Sequence, residues 1–333
     1  MVWHNDSSAT VFYLCADTIV SRDFSITDTL RFAGFCGDTE SHYAVPKRIA
    51  GSRNAVYHDV PRIIAFSDLH GEYEAFVDAL TAFGVVSDDQ RWNWGDGHLV
   101  IVGDVFDRGP NVTECLWLIY RLEQEAASQG GRVHALLGNH ETMVLRGDLR
   151  YVNEKYTDGI CRNARIPYDD LYGPHTEIGR WLRTKPTAIV INGILFTHAG
   201  IPPRILDASL TLSQLNDSVR TYLDMSPVQT RFSDWPKYLY SGDGPLWYRG
   251  YFEEREGRYP LASQADVDRT LALYNADAIV VGHTEAEHIT PLYNGKVIAI
   301  DVPVDELGGF EALLWEDGEL YRVMRDGSRV RLR

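Results

Sequence analysis

The chain has 333 residues, of which 44% are hydrophobic and 24% charged, enough apolar content for a sizeable core and too much for a disordered polymer. Its formal charge of -15 repels nucleic acid and anionic membranes, so a phosphate-bearing ligand must be held by local cations. No apolar run approaches the ~20 residues that cross a bilayer, and the opening MVWHNDSSATVFYLCADTIV lacks a basic start followed by an unbroken apolar stretch, which reads as cytoplasmic.

Residues 1–60 carry short β-like pieces such as TVFYLCADTIV, which predict a small N-terminal β extension. From residue 62 onward come short apolar runs: RIIAFSD, HLVIVGD, VHALLGN, AIVINGILFTHAG, DAIVVGH and KVIAIDV. Most end in a polar residue beside glycine. Between them, EYEAFVDALTAFG and TECLWLIYRLEQEAASQGG place apolar residues at helical spacing, the second closing on a glycine pair. Strand, helix, strand in repetition predicts an α/β layered core over residues 61–333. The stretches at about 146–180 and 202–262 are poor in strand patterning and rich in Tyr, Trp, Arg and Pro, and read as insertions flanking a site. Cys15, Cys36, Cys115 and Cys161 are widely spaced with no CxxC pair. That spacing argues against a disulfide scaffold and a structural zinc site and leaves room for one disulfide.

Five strand ends share a chemistry: Ser67-Asp68-Leu69-His70-Gly71, Gly103-Asp104-Val105-Phe106-Asp107-Arg108-Gly109, Gly138-Asn139-His140-Glu141, Thr197-His198-Ala199-Gly200 and Gly282-His283-Thr284. In α/β sheets ligands bind at the carboxyl ends of strands, so these loops can converge although they span most of the chain. Carboxylates, an amide oxygen and several imidazoles suit divalent metals, with a carboxylate to bridge two ions. Taken singly each has a plainer explanation. An Asp-x-His can cap a helix, GDVFDRG can be a turn with an Asp-Arg pair, GNHE can open a helix, and a lone His is more often a hydrogen-bonded core residue. Joint occurrence at five strand ends favours the metal reading.

In this order, DLHG, GDVFDRG, GNHE, HAG and GHT resemble the phosphoprotein phosphatase family of calcineurin-like metallophosphoesterases, over roughly residues 62–303. LRGDLRYVNEKY, GRWLRTKP and GPLWYRGY resemble its bacterial and plant Shewanella-like branch. The SAPNYC segment of the eukaryotic Ser/Thr enzymes is missing, and with it the basis for their toxin sensitivity and regulatory-subunit contacts. The resemblance implies a metallophosphoesterase-type β-sandwich flanked by helices. It also implies two divalent ions, manganese foremost, with iron, zinc or nickel as alternatives. Asp68 and His70 would hold the first ion, Asp104 would bridge, and Asn139, His198 and His283 would hold the second. Arg108 and Arg249 would clamp phosphate together with Asn139, and His140, oriented by Asp107, would protonate the leaving oxygen. The implied activity is hydrolysis of phosphorylated protein or peptide by direct attack of a metal-bound hydroxide, on phosphotyrosine, phosphoserine or phosphothreonine, with the branch leaning to phosphotyrosine. Glu141 is read as a supporting or helix-start carboxylate.

Three rival readings bear on this. Cys115 and Arg121 have the C-x5-R spacing of cysteine-dependent tyrosine phosphatases, but the intervening LWLIY is bulky where a phosphate cradle needs small residues. Cys115 is therefore read as a packed helix residue. A dinucleoside polyphosphate hydrolase would share most ligands, and a catalytically inactive binding module would have lost some of them.

Overall fold

The computed structural model describes residues 1–4, 7–15, 18–26, 28–33, 42–47, 54–304 and 310–332. The first strands are β1 (Val2–His4), β2 (Ser8–Cys15), β3 (Thr18–Ser25), β4 (Thr29–Ala33) and β5 (His42–Pro46). β1, β2 and β3 form one antiparallel sheet and β4 pairs with β5. Cys15, at the end of β2, is disulfide-bonded. Cys36 lies outside the described residues, and Cys115 and Cys161 are free.

The remaining strands are β6 (Val56–Tyr57), β7 (Arg62–Phe66), β8 (His98–Ile101), β9 (Arg132–Ala135), β10 (Ala188–Ile191), β11 (Ile194–Thr197), β12 (Ala278–Val281), β13 (Thr290–Leu292), β14 (Val297–Ala299), β15 (Ala312–Glu316), β16 (Glu319–Val323) and β17 (Arg329–Arg331). They build two six-stranded sheets, ordered β13-β14-β12-β11-β10-β6 and β17-β16-β15-β7-β8-β9. β6 lies within the first sixty residues, yet it pairs in parallel with β10 and so belongs to a core sheet.

Alternation along each strand explains the layering, because successive side chains point to opposite faces. Ile63 and Ala65 pack with Val100, Phe196, Val280 and Ile298 in a core between the two sheets. Ile64 and Phe66, one residue out of phase, pack instead with Phe76 and Leu80 of α1 (Tyr73–Ala82) and with Leu116 and Ile119 of α2 (Val112–Ser128). On the second sheet, Val190, Leu195, Ile279 and Val281 meet Leu206, Leu215, Leu239 and Leu271. Those leucines come from helices within 203–274, so the 202–262 stretch supplies part of a helical layer. The result is helix, sheet, sheet, helix. Strands buried on both faces read as unbroken apolar runs, which is how RIIAF and AIVV look in the sequence.

Two features differ from the sequence expectation. AIVINGILFTHAG is a hairpin, in which Asn192 (φ 50°) and Gly193 (φ 77°) supply the paired left-handed residues of a type I′ turn. The reversal makes β11 run parallel to β12 and carries His198 to the same end of the sheet as His283. No strand is read from the sequence after KVIAIDV, whereas β15 pairs antiparallel with β7 and β16 and β17 extend that edge. Among the described residues no helix is long and apolar enough to cross a membrane.

Candidate metal centre

β7, β8 and β9 run parallel in one sheet, and β11 and β12 in the other, so five loops leave their carboxyl ends at one edge of the sandwich. Bonds between the sheets lock that edge. His198 Nδ1 lies 2.8 Å from the Val102 carbonyl, and the His283 backbone N–H donates to Asp68 Oδ2 at 3.0 Å. Gly282, whose Cβ would sit 1.8 Å from Ser67 Oγ had it one, permits the approach.

The outer hydrogen bonds decide which imidazole nitrogen faces inward. A carbonyl only accepts, so His198 Nδ1 donates to Val102 and His70 Nδ1 donates to the Phe106 carbonyl at 2.7 Å. His140 Nδ1 donates to Asp107 Oδ2 at 2.6 Å, and His283 bonds to the Trp247 backbone. Each ring then presents Nε2 to the interior, the arrangement by which outer partners orient metal-binding imidazoles. The Nε2 atoms of His70 and His283 are buried with no hydrogen-bond partner. Asp104 Oδ2 lies 3.3 Å from His198 Nε2, 3.8 Å from His140 Nε2 and 4.0 Å from His70 Nε2, while Asp68 Oδ1 is 3.9 Å from His70 Nε2. Asn139 Oδ1 lies 2.8 Å from His198 Nε2. Two candidate cation clusters result, His70-Asp104-His140 and Asp104-His198-His283, sharing one carboxylate. The orphaned nitrogens and the mixed oxygen and nitrogen donors fit divalent metal ions.

Electrostatics show how far the site depends on compensation. Burial would raise the Asp104 carboxyl, but the His198 and His140 charges outweigh it and hold the group well below the usual range. Burial likewise opposes protonation of His198, and Asp104 and Asp68 reverse that, lifting the imidazole to about 10. Without a cation His198 therefore carries a proton on Nε2, which an ion must displace, so metal uptake is linked to pH. His283 goes the other way, driven well below the ordinary value by burial and then by the His198 and Arg249 charges. Burial raises Asp68.

The backbone is held in an unusual state around these side chains. Asp68 (52°), His70 (44°), Asp104 (56°), Asp107 (71°), Arg108 (64°) and His283 (65°) all have positive φ. Such conformations cost on the order of 1 kcal/mol or more each and persist only where the surroundings enforce them. Glu141 is one enforcing group. Its Oε2 accepts the Asp104 and Gly138 N–H groups at 2.9 and 2.7 Å, and its Oε1 accepts those of Val105 and Phe106 at 2.7 and 3.4 Å. One carboxylate thus ties the β8 loop to the start of the helix α3 (Asn139–Leu145). Burial and the Asp104 charge push it up to about 7 against the pull of those amides.

The other expected residues fall around this edge. Arg108 is exposed and reaches Glu285 Oε1 at 3.5 Å. Arg249 donates to Thr284 Oγ1 at 3.0 Å, directly beside His283, and Trp247 packs edge-on against the His283 ring. Cys115 is buried in α2, with its thiol pushed up by burial, and takes no part. Asp301 was not singled out, yet it follows β14, is buried, and is raised to about 8 by burial and by Asp68 and Asp104. KVIAIDV carries this acid after its apolar run, as RIIAFSD does, but an acid after a strand is too common to mark a site. Tyr151 was also missed. Its ring centroid lies 5.4 Å from that of His140.

A family model described as calcineurin-like phosphoesterase matches residues 61–286. The chain belongs to that family. Its relatives include Shewanella-like protein phosphatase 1 of Plasmodium berghei, 30% identical over 67% of this chain and 61% of that protein. Shewanella-like protein phosphatase 2 of Arabidopsis thaliana is 26% identical over 72% of this chain and 71% of its own length. Among solved structures, the cold-active protein-tyrosine phosphatase of a psychrophilic Shewanella species superposes with a TM-score of 0.87 at 36% identity, covering 100% of this chain and 98% of that one. The mixed α/β sandwich is the metallophosphoesterase fold, and the protein is a phosphoesterase-type hydrolase.

The Glu141 brace makes a specific demand. Glu141→Gln turns an amide NH2 toward backbone N–H groups and should cost roughly 1–3 kcal/mol, read from the urea unfolding midpoint. An unchanged midpoint would remove the bracing role.

Proposed function

We propose that the protein is a phosphomonoesterase using two divalent ions, acting on phosphorylated proteins with phosphotyrosine among its substrates. The observation that carries this is the set of four imidazoles presenting Nε2 around Asp104 and Asp68, with two arginines at the rim. The whole-length likeness to a protein-tyrosine phosphatase supports the substrate class.

In this reading Asp68 and His70 would hold one ion, Asn139, His198 and His283 the other, and Asp104 would be shared by both. Bound there, the ions would supply a water of lowered pKa and a counter-charge to phosphoryl oxygens. Arg108 and Arg249, approaching from the β8 loop and from beside Thr284, bind the remaining phosphate oxygens as charge-assisted donors. Asn139 adds a neutral amide. His140 carries the proton for the leaving oxygen on Nε2, since Nδ1 is committed to Asp107. Asp107 and the Asp104 charge both favour the protonated ring, and although burial opposes them the net effect raises it above its ordinary value. A proton donor of that kind is what a poor leaving group such as an alkoxide needs.

Three measurements test the reading. Chelator-treated protein should lose hydrolysis of p-nitrophenyl phosphate and of a phosphotyrosine peptide and regain both with Mn²⁺. Full activity in metal-stripped protein rules out the dinuclear site.

His140→Asn should lower kcat by roughly 10²- to 10⁴-fold, with metal content near wild type and a smaller loss on substrates with good leaving groups. Because His140 is itself a member of the first cluster, a loss of metal would make it a ligand instead.

Arg249→Ala should mainly raise KM and weaken inhibition by free phosphate, at about 1.5–3 kcal/mol for a charged hydrogen bond. Unchanged KM and unchanged phosphate inhibition would reduce Arg249 to a support for Thr284.

A further inference from the structure

We infer that Tyr151 is a specificity-determining residue whose ring is the platform for the leaving group of an aryl phosphate, in a protein the phenol ring of phosphotyrosine. The inference rests on the phosphomonoesterase reading above. Tyr151 is 47% exposed, while Tyr156, Tyr168 and Tyr172, which follow it in the same segment, are at most 4% exposed. An aromatic left half in water beside a buried site has surface to offer a ligand.

Its position is fixed by the groups that would handle the ester. The His140 ring is flanked by His70 at 4.8 Å on the cation side and by Tyr151 at 5.4 Å. The Arg108 N–H donates to the Tyr151 carbonyl at 2.9 Å, and Asn153 Nδ2 donates to the Arg108 carbonyl at 2.8 Å. Residues 151–153 thus grip both backbone groups of Arg108, so Tyr151 moves with the phosphate clamp as well as with the acid. The Arg150 guanidinium stands 5.5 Å from the ring centroid.

In hydrolysis the phosphorus–oxygen bond to the leaving group breaks and one forms to phosphorus from the oxygen of a water that releases one proton to solvent, while His140 Nε2 passes its proton to the leaving oxygen and is reprotonated from solvent. That oxygen must lie near His140, and whatever it carries projects along the wall that Tyr151 forms. A phenol presents a ring to stack. A serine side chain presents a single methylene and gains little.

The test compares Tyr151→Ala and Tyr151→Phe with wild type on phenyl phosphate and glycerol 2-phosphate, taking the variant-to-wild-type ratio for each substrate so that intrinsic reactivity cancels. Inhibition by phenylphosphonate and methylphosphonate reads binding alone. Tyr151→Ala should lose roughly 2- to 12-fold more kcat/KM on the phenyl ester than on the alkyl ester, chiefly through KM, with the same bias between the phosphonates, the range expected for one ring–ring contact. Tyr151→Phe should restore the difference. Equal losses on both esters would make Tyr151 a support for His140 and Arg108, and no loss would make it an ordinary surface residue. Either overturns the inference. Wild type that hydrolyses neither ester rejects the phosphomonoesterase reading and this inference with it. Wild type that hydrolyses both esters and no phosphopeptide rejects only the protein substrate, and the ratio still decides Tyr151.

Discussion

The rest of the architecture depends on a buried carboxylate, Asp104, set among imidazoles at the end of β8. Its side chain is nearly inaccessible to water, and an isolated buried charge is costly enough to be intolerable in a domain of ordinary stability. Compensation comes from every side. The His140 backbone N–H donates to Oδ1 at 3.0 Å, and His198, His140 and His70 surround Oδ2. Those imidazoles are positioned by carbonyls and by Asp107, so they cannot relax away. A cation in each cluster would complete the compensation, which is why the same residues read both as a stability problem and as a binding site.

Two facing sheets make this possible. A single sheet would bring three of the loops together, and the ring of donors closes only because β11 and β12 present theirs from the opposite layer. The His198 to Val102 and His283 to Asp68 bonds cross between layers and join residues 96 and 215 positions apart. The core between the sheets fixes their spacing, since Ile63, Ala65, Phe196 and Val280 are close-packed there. Strained loops are tolerated on such a scaffold, and six of the residues with positive φ lie at its functional edge.

The charge distribution sets the chemistry apart from the surface. At -15 overall, the protein offers a phosphate dianion a repulsive exterior, so affinity must come from local cations. Arg108 stands at the solvent rim with Glu285, while Arg249 is partly buried and bonded to Thr284. An exposed pair such as Arg108 and Glu285 contributes little to stability, which leaves the guanidinium available to a ligand.

The position and length of the apolar runs determined the strands β7–β12 and β14 and the layered α/β class, because a strand buried on both faces reads locally as an unbroken apolar run. The polar residues at five strand ends determined the candidate ligands, because an acid or imidazole there interrupts packing for a reason visible in sequence. Tertiary structure alone decided the rest. Whether AIVINGILFTHAG is one strand or two depends on which neighbour β11 joins, and the placing of β15 beside β7 depends on an edge formed by residues 250 positions earlier. Asp301 and Tyr151 have nothing in their local sequence to mark them, since an acid after a strand and a tyrosine after an arginine are common. Which nitrogen of each imidazole faces inward, and that Glu141 braces four backbone amides, follow from contacts between separate elements. Sequence carries the donors; only the fold brings those of each cluster within 4.8 Å of one another.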